Sequence, residues 1–129
     1  MESRKEAAVN KKRTGYNCAQ AVACSFCDYA GIEEEQMKQI TQAFGVGMGT
    51  MEGTCGAIAG ANVVLGLKNG EDRAKTVGEA RKIMTDFQKR NGAVTCKVLK
   101  GIETGKVLRN CEDCVRDAVE LLEKALRED

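Results

Sequence analysis

Thr54-Cys55-Gly56-Ala57-Ile58-Ala59-Gly60-Ala61-Asn62-Val63-Val64-Leu65-Gly66-Leu67-Lys68-Asn69-Gly70 reads as one helix with its own start and stop signals. Threonine is a favoured N-cap because its side-chain oxygen accepts a hydrogen bond from a free backbone N–H, and glycine after asparagine is a common helix end. From about Cys55 to Lys68 the segment is apolar nearly all round, as befits the centre of a helical bundle rather than its surface. Working outward, a largely polar helix is expected from about Glu2 to Arg13, with Gly15 stopping it, and a second from Cys18 to near Gly31. A third begins with Glu33, Glu34 and Glu35, which suit the positive end of a helix, and carries Met37, Ile40, Ala43 and Phe44 on one side. After the apolar helix comes one from Asp72 to Arg90, with Val77, Ile83, Met84 and Phe87, ending at Asn91-Gly92. A short helix beginning at Cys96 and a last one from Cys111 to about Arg127 complete the chain.

The 129 residues include no proline and only 4% aromatic residues, and no linker, low-complexity segment or repeat divides them. The expected fold is one all-α domain spanning 1–129, a bundle of about five helices plus a short one with a glycine-rich loop before the central helix. Twenty Lys and Arg against nineteen Asp and Glu give a net charge of +1, which argues against a nucleic-acid partner or an acidic-substrate channel. No apolar stretch approaches the ~20 residues that span a bilayer, so no membrane partner is expected. The complete lack of histidine excludes Ser-His and Cys-His nucleophiles and histidine-containing zinc sites. Chemistry is left to sulfur, carboxylate, amine or a bound cofactor.

Sulfur stands out. Four of the seven cysteines directly follow a capping residue, in Asn17-Cys18, Thr54-Cys55, Thr95-Cys96 and Asn110-Cys111. Each would then stand at the first position of a helix, where unpaired N–H groups and the helix dipole favour a thiolate. At about 100° per residue, Cys18 lines up with Val22, Phe26 and Tyr29, and Cys111 with Val115, Ala118, Leu122 and Ala125. Cys55 shares its face with Ala59, Asn62 and Gly66, so three of the four point at the core. An odd cysteine count without a signal-peptide pattern points to a reducing cytoplasm.

Gly45, Gly47, Gly49 and Gly53 lead into Cys55, but their spacing fails the dinucleotide fingerprint and a P-loop lysine is lacking. Such glycines permit positive φ or close backbone approach, so the loop can turn N–H groups toward a sulfur anion. Gly53 and Gly56 flank Cys55, and Asn62 is the polar residue on its side of the apolar helix, which makes these three the candidate cofactor-binding positions. Of two CxxC pairs, Cys24-Ser-Phe-Cys27 lies mid-helix opposite the Cys18 stripe and reads as packing. In Cys111-Glu-Asp-Cys114, the second cysteine reads as a spare that could serve as a resolving thiol. Separations of 37, 41 and 15 positions between the capped cysteines disfavour a folding-type zinc site. They leave open a bundle that gathers thiolates around an iron–sulfur cluster or another metal.

In order along the chain, Cys18, Cys55-Gly56-Ala57-Ile58-Ala59-Gly60, Cys96 and Cys111 resemble the signature of the C-GCAxxG-C-C family, whose label is redox-active. Gly15-Tyr16-Asn17-Cys18 and the glycine-rich approach are similar too, and Cys24, Cys27 and Cys114 lie outside the pattern. The resemblance implies a redox role for the four matching cysteines. Thiol exchange would have Cys55 attack a small oxidant, a disulfide or a redox partner protein, with a neighbouring cysteine resolving the product. Electron transfer would instead run through an iron–sulfur cluster on Cys18, Cys55, Cys96 and Cys111, and a third reading is a non-enzymatic carrier holding a metal by the same thiolates.

Overall fold

The computed structural model describes residues 3–127, and all regular elements among them are helical. They are α1 (Lys5–Arg13), α2 (Cys18–Ala23), α3 (Cys27–Ala30), α4 (Glu34–Thr41), α5 (Gly45–Met48), α6 (Gly56–Asn69), α7 (Arg73–Asn91), α8 (Cys96–Leu99) and α9 (Cys111–Arg127). An isolated antiparallel bridge joins Thr54 to Thr95. The all-α class is as the sequence predicts, and so is the central role of the apolar helix. α6 packs against α2, α3, α7 and α9 and buries Ala57, Ile58, Ala61, Val64 and Leu65. Facing it are Val115, Ala118, Val119 and Leu122 of α9, Ile83 and Phe87 of α7, and Val22 of α2. No helix is long and apolar enough to cross a membrane among the described residues.

Four local expectations need correction. The second helix is not continuous to Gly31: a 3-10 turn at Cys24–Phe26 separates α2 from α3. Ser25 Oγ donates back to the Ala21 carbonyl at 2.8 Å, a bond that bends helices, and Phe26 leaves helical geometry at φ −130° to enter the core. α4 buries Met37 and Thr41 but turns Ile40 outward, and the 3-10 turn at Gln42–Phe44 that follows carries Ala43 outside as well. Val77 is 44% exposed on the first turns of α7, and only Ile83 and Phe87 of that helix are fully covered. The first helix begins at Lys5; Glu2, its expected start, lies outside the described residues. Arg4 N–H and Ser3 Oγ instead donate to the buried Glu123 carboxylate of α9 at 2.7 and 3.0 Å.

Candidate functional site

The four helix-start cysteines are held in two different ways. Asn17 caps α2 by accepting from the Gln20 N–H at 2.8 Å while Gln20 Oε1 accepts from the Asn17 N–H, a complete capping box. Asn110 does the same service for α9, its Oδ1 accepting from the Asp113 N–H at 2.8 Å. Cys18 and Cys111 therefore stand where the sequence reading puts them. The two threonines do not cap. Thr54 and Thr95 form the isolated bridge, with the Cys55 N–H donating to Val94 O at 2.7 Å and the Cys96 N–H donating to Gly53 O at 3.0 Å. Cys55 is itself the N-cap residue of α6, which starts one residue later than expected, and α8 begins at Cys96 without a side-chain cap. The pairing of residues 41 apart, not local capping, sets Cys55 beside Cys96.

The glycines serve this pairing. A Cβ on Gly47, whose φ is +56°, would stand 2.6 Å from Cys96 Cβ, and one on Gly53 would stand 2.9 Å from the Gly47 carbonyl. Gly56 lets the Gly45 backbone lie across the first turn of α6, where a Cβ would meet Phe44 O at 3.0 Å and Gly45 Cα at 3.1 Å. The same segment holds three non-glycine residues at positive φ, namely Val46, Met48 and Met51. A β-branched residue there is strained and persists only where its surroundings over-determine it. Val46 forms part of the wall over the cysteines.

Cys18, Cys55, Cys96 and Cys111 converge. With Cys114 and Lys100 they line one cavity of about 10 Å³, which is about the room of one water molecule. Four of the five sulfurs lie two by two, and Cys96 stands apart from either pair. Cys18 lies beside Cys111 and Cys114 beside Cys55, close enough for each pair to share a proton. The Cys18 hydrogen bond, helped by the Lys100 ammonium, brings the Cys111 thiol down to about 5. Cys55 is also lowered, first by the Cys114 hydrogen bond and then by the Ala57 and Ile58 N–H groups at the head of α6. Their partners move the other way: Cys18 and Cys114 are held as thiols by the bonds they make to these sulfurs and by burial. Burial likewise keeps Cys96 protonated. All seven cysteines are free.

A family model described as "Putative redox-active protein (C_GCAxxG_C_C)" matches residues 16–125. The chain belongs to this family. No curated protein and no solved structure matches it. The signature of the C_GCAxxG_C_C family can now be read spatially. Its first cysteine and its last form one sulfur pair, and its Cys-Gly-Ala-x-x-Gly segment supplies the cap cysteine of α6 and two glycines against which other backbone packs. Gly60 is the second of these, since a Cβ there would run into the Ala19 carbonyl of α2.

Other expected site residues fare differently. Gly53 and Gly56 adjoin the sulfurs through backbone contacts, whereas Asn62 does not line the cavity. It shares the helical face of Cys55, but seven residues along a helix is about 10 Å, too far for a bond to that sulfur. Its Oδ1 is buried without a hydrogen-bond partner among the described residues. Cys24 and Cys27 stay apart from the cavity; their thiols lie 3.9 Å from Glu34 O and 3.6 Å from Cys24 O, and burial pushes Cys24 up to about 12. Cys114 is the residue the sequence reading undervalued, although its spacing from Cys111, three positions on one helix face, is a visible signal. Lys100, held near the sulfurs by the turn after α8, had no such signal. Among the described residues, no three cysteine or carboxylate groups are arranged as a set of metal ligands.

Proposed function

We propose that the protein is a thiol–disulfide oxidoreductase of a reducing compartment such as the cytoplasm, with Cys111 as the attacking thiolate and Cys18 as the resolving thiol. The observation that carries this reading is the pairing of a low-pKa, half-buried Cys111 with a protonated Cys18 beside Lys100. This revises the expected nucleophile from Cys55 to Cys111, because Cys55 is only 5% exposed and an incoming disulfide must reach the sulfur it exchanges with. In the first step the Cys111 thiolate attacks one sulfur of a disulfide R–S–S–R′, forms Cys111–S–S–R and expels R′–S⁻. Cys18 then gives up its proton to the departing thiolate, attacks the Cys111 sulfur and releases R–S⁻. The substrate disulfide has taken two electrons and the protein holds a Cys18–Cys111 disulfide. Substrates of this class are a small disulfide or the disulfide of a redox partner protein.

The alternative is a cluster or metal held by the same soft donors, which would need the sulfurs to move, since no three of them are arranged as ligands among the described residues. One preparation decides between them. The reduced protein, purified anaerobically, should carry no stoichiometric metal or sulfide and should cleave an aromatic disulfide at pH 6, releasing its coloured thiolate. Cys111→Ser should slow that release about 100-fold or more. Stoichiometric iron and sulfide in the parent, or an unchanged rate in Cys111→Ser, would sink the thiol reading.

A further inference from the structure

We propose that the site is a two-disulfide relay, in which the outer pair Cys18/Cys111 takes oxidising equivalents from the substrate and passes them inward to Cys55/Cys114. The inference rests on the thiol-exchange reading and extends it to four electrons and an internal direction. Three observations carry it. Five sulfurs line one cavity, and four of them lie as neighbours two by two, Cys18 beside Cys111 and Cys55 beside Cys114, with Cys96 as the fifth. Burial grades inward, from a half-buried Cys111 through Cys18 at 7% exposure to Cys55 at 5% and Cys114 at 2%. Finally, Cys55 lines the same cavity as both outer sulfurs, near enough for its charge to act on Cys18 and for the charge of Cys111 to act on it.

The inward step balances. The Cys55 thiolate attacks the Cys18 sulfur of the Cys18–Cys111 disulfide, forming Cys55–S–S–Cys18 and releasing Cys111 as a thiolate. Cys114 then loses its proton and attacks the Cys55 sulfur, forming the Cys55–Cys114 disulfide, while the released Cys18 sulfur takes up that proton. The outer pair is again one thiol and one thiolate, as at the start, and the inner pair is oxidised. A second substrate disulfide oxidises the outer pair once more. Buried Cys55 and Cys114 cannot meet a bulky oxidant directly, so their oxidation must pass through the outer pair.

The test is a time course of the reduced, folded protein with excess of a bulky disulfide, quenched by alkylation and mapped by mass spectrometry. The relay predicts Cys18–Cys111 first, Cys55–Cys114 next, and a final product in which these four cysteines escape the label while the other three take it. In Cys111→Ser, folding checked by helical circular dichroism, the inner disulfide should form at least ~10-fold more slowly. As a second variant, Cys114→Ser should halt with Cys18 disulfide-bonded to Cys111 or Cys55. A parent that stops at Cys18–Cys111 alone overturns the relay and leaves the proposed function standing. A parent that forms no disulfide overturns both, and an inner disulfide that forms at the parental rate in Cys111→Ser overturns the relay.

Discussion

Cys111 combines three conditions that rarely meet on one sulfur: a helix start capped by Asn110, a hydrogen bond from a neighbouring thiol, and a lysine partly withdrawn from water. These act on the same thiolate, and their consequence extends to stability. Between about pH 5 and the ordinary thiol value of about 8.5, Cys111 is ionised in the fold but protonated in the unfolded chain. Lowered Cys55 acts in the same sense. The unfolded state binds more protons there, so stability should rise with pH across that window. Above it the sign reverses, because Cys18, Cys96 and Cys114 keep protons in the fold that the unfolded chain gives up. Thermal unfolding of the reduced protein should therefore peak in melting temperature near pH 8 to 9 (about the unperturbed thiol range) and fall on either side. The rise should vanish in a variant with Cys18, Cys55, Cys111 and Cys114 all replaced by serine, while a smaller fall at high pH remains through Cys24, Cys27 and Cys96. A parent profile indistinguishable from that variant would refute the paired-sulfur electrostatics.

At the scale of elements, α6 is where packing and chemistry share residues. Its small side chains allow α2 to approach until the Ala19 backbone lies against Gly60, and that approach brings Cys18 over the head of α6 where Cys55 sits. Gly60 and Gly66 lie in the same helix but differ in surroundings, since nothing lies within 4 Å of a Cβ placed on Gly66. Gly60→Ala should destabilise by about 1–3 kcal/mol through overpacking, and displace Cys18 enough to slow disulfide cleavage. Gly66→Ala should stabilise by about 0.5–1 kcal/mol, because alanine fits a helical backbone and restricts the unfolded chain. Urea unfolding of both variants reads the contrast, and equal effects would show that α2 and α6 do not meet as closely as described.

Across the whole molecule, Asp117 ties the site to the frame. Buried on α9, it accepts from Arg109 Nε at 3.0 Å, Arg90 Nη1 at 3.2 Å and Asn91 Nδ2 at 3.0 Å, which joins α7, α9 and the loop before α9. Arg109 is also part of the cavity wall, so the network fixes one side of the cysteine pocket. Removing the carboxylate leaves two guanidinium groups and an amide without their shared acceptor, although water reaches the arginines and offsets part of the loss. Asp117→Ala should cost about 2–3 kcal/mol and speed alkylation of Cys114, whose thiol lies 3.9 Å from Arg109 O. A stability change within about 0.5 kcal/mol, the usual range for surface substitutions, would remove the anchoring role.

The amino-acid sequence by itself determined the all-α class, the central apolar helix, the stop of α6, both ends of α7, the start of α9, and the Asn17 and Asn110 caps. All of these rest on hydrogen bonds and side-chain periodicity within a few residues of chain. It also marked the four cysteines that meet, but for Cys55 and Cys96 it did so through the wrong bond. A threonine before a cysteine looks the same locally whether it caps a helix or bridges to another threonine, and only the packed chain brings Thr54 to Thr95. Tertiary structure alone decided which sulfurs pair, that Cys114 joins them and that Lys100 faces Cys111. Asn62 missed the site for the complementary reason: angular phase around a helix is legible in sequence, whereas distance along it to a partner on another element depends on how the helices are stacked.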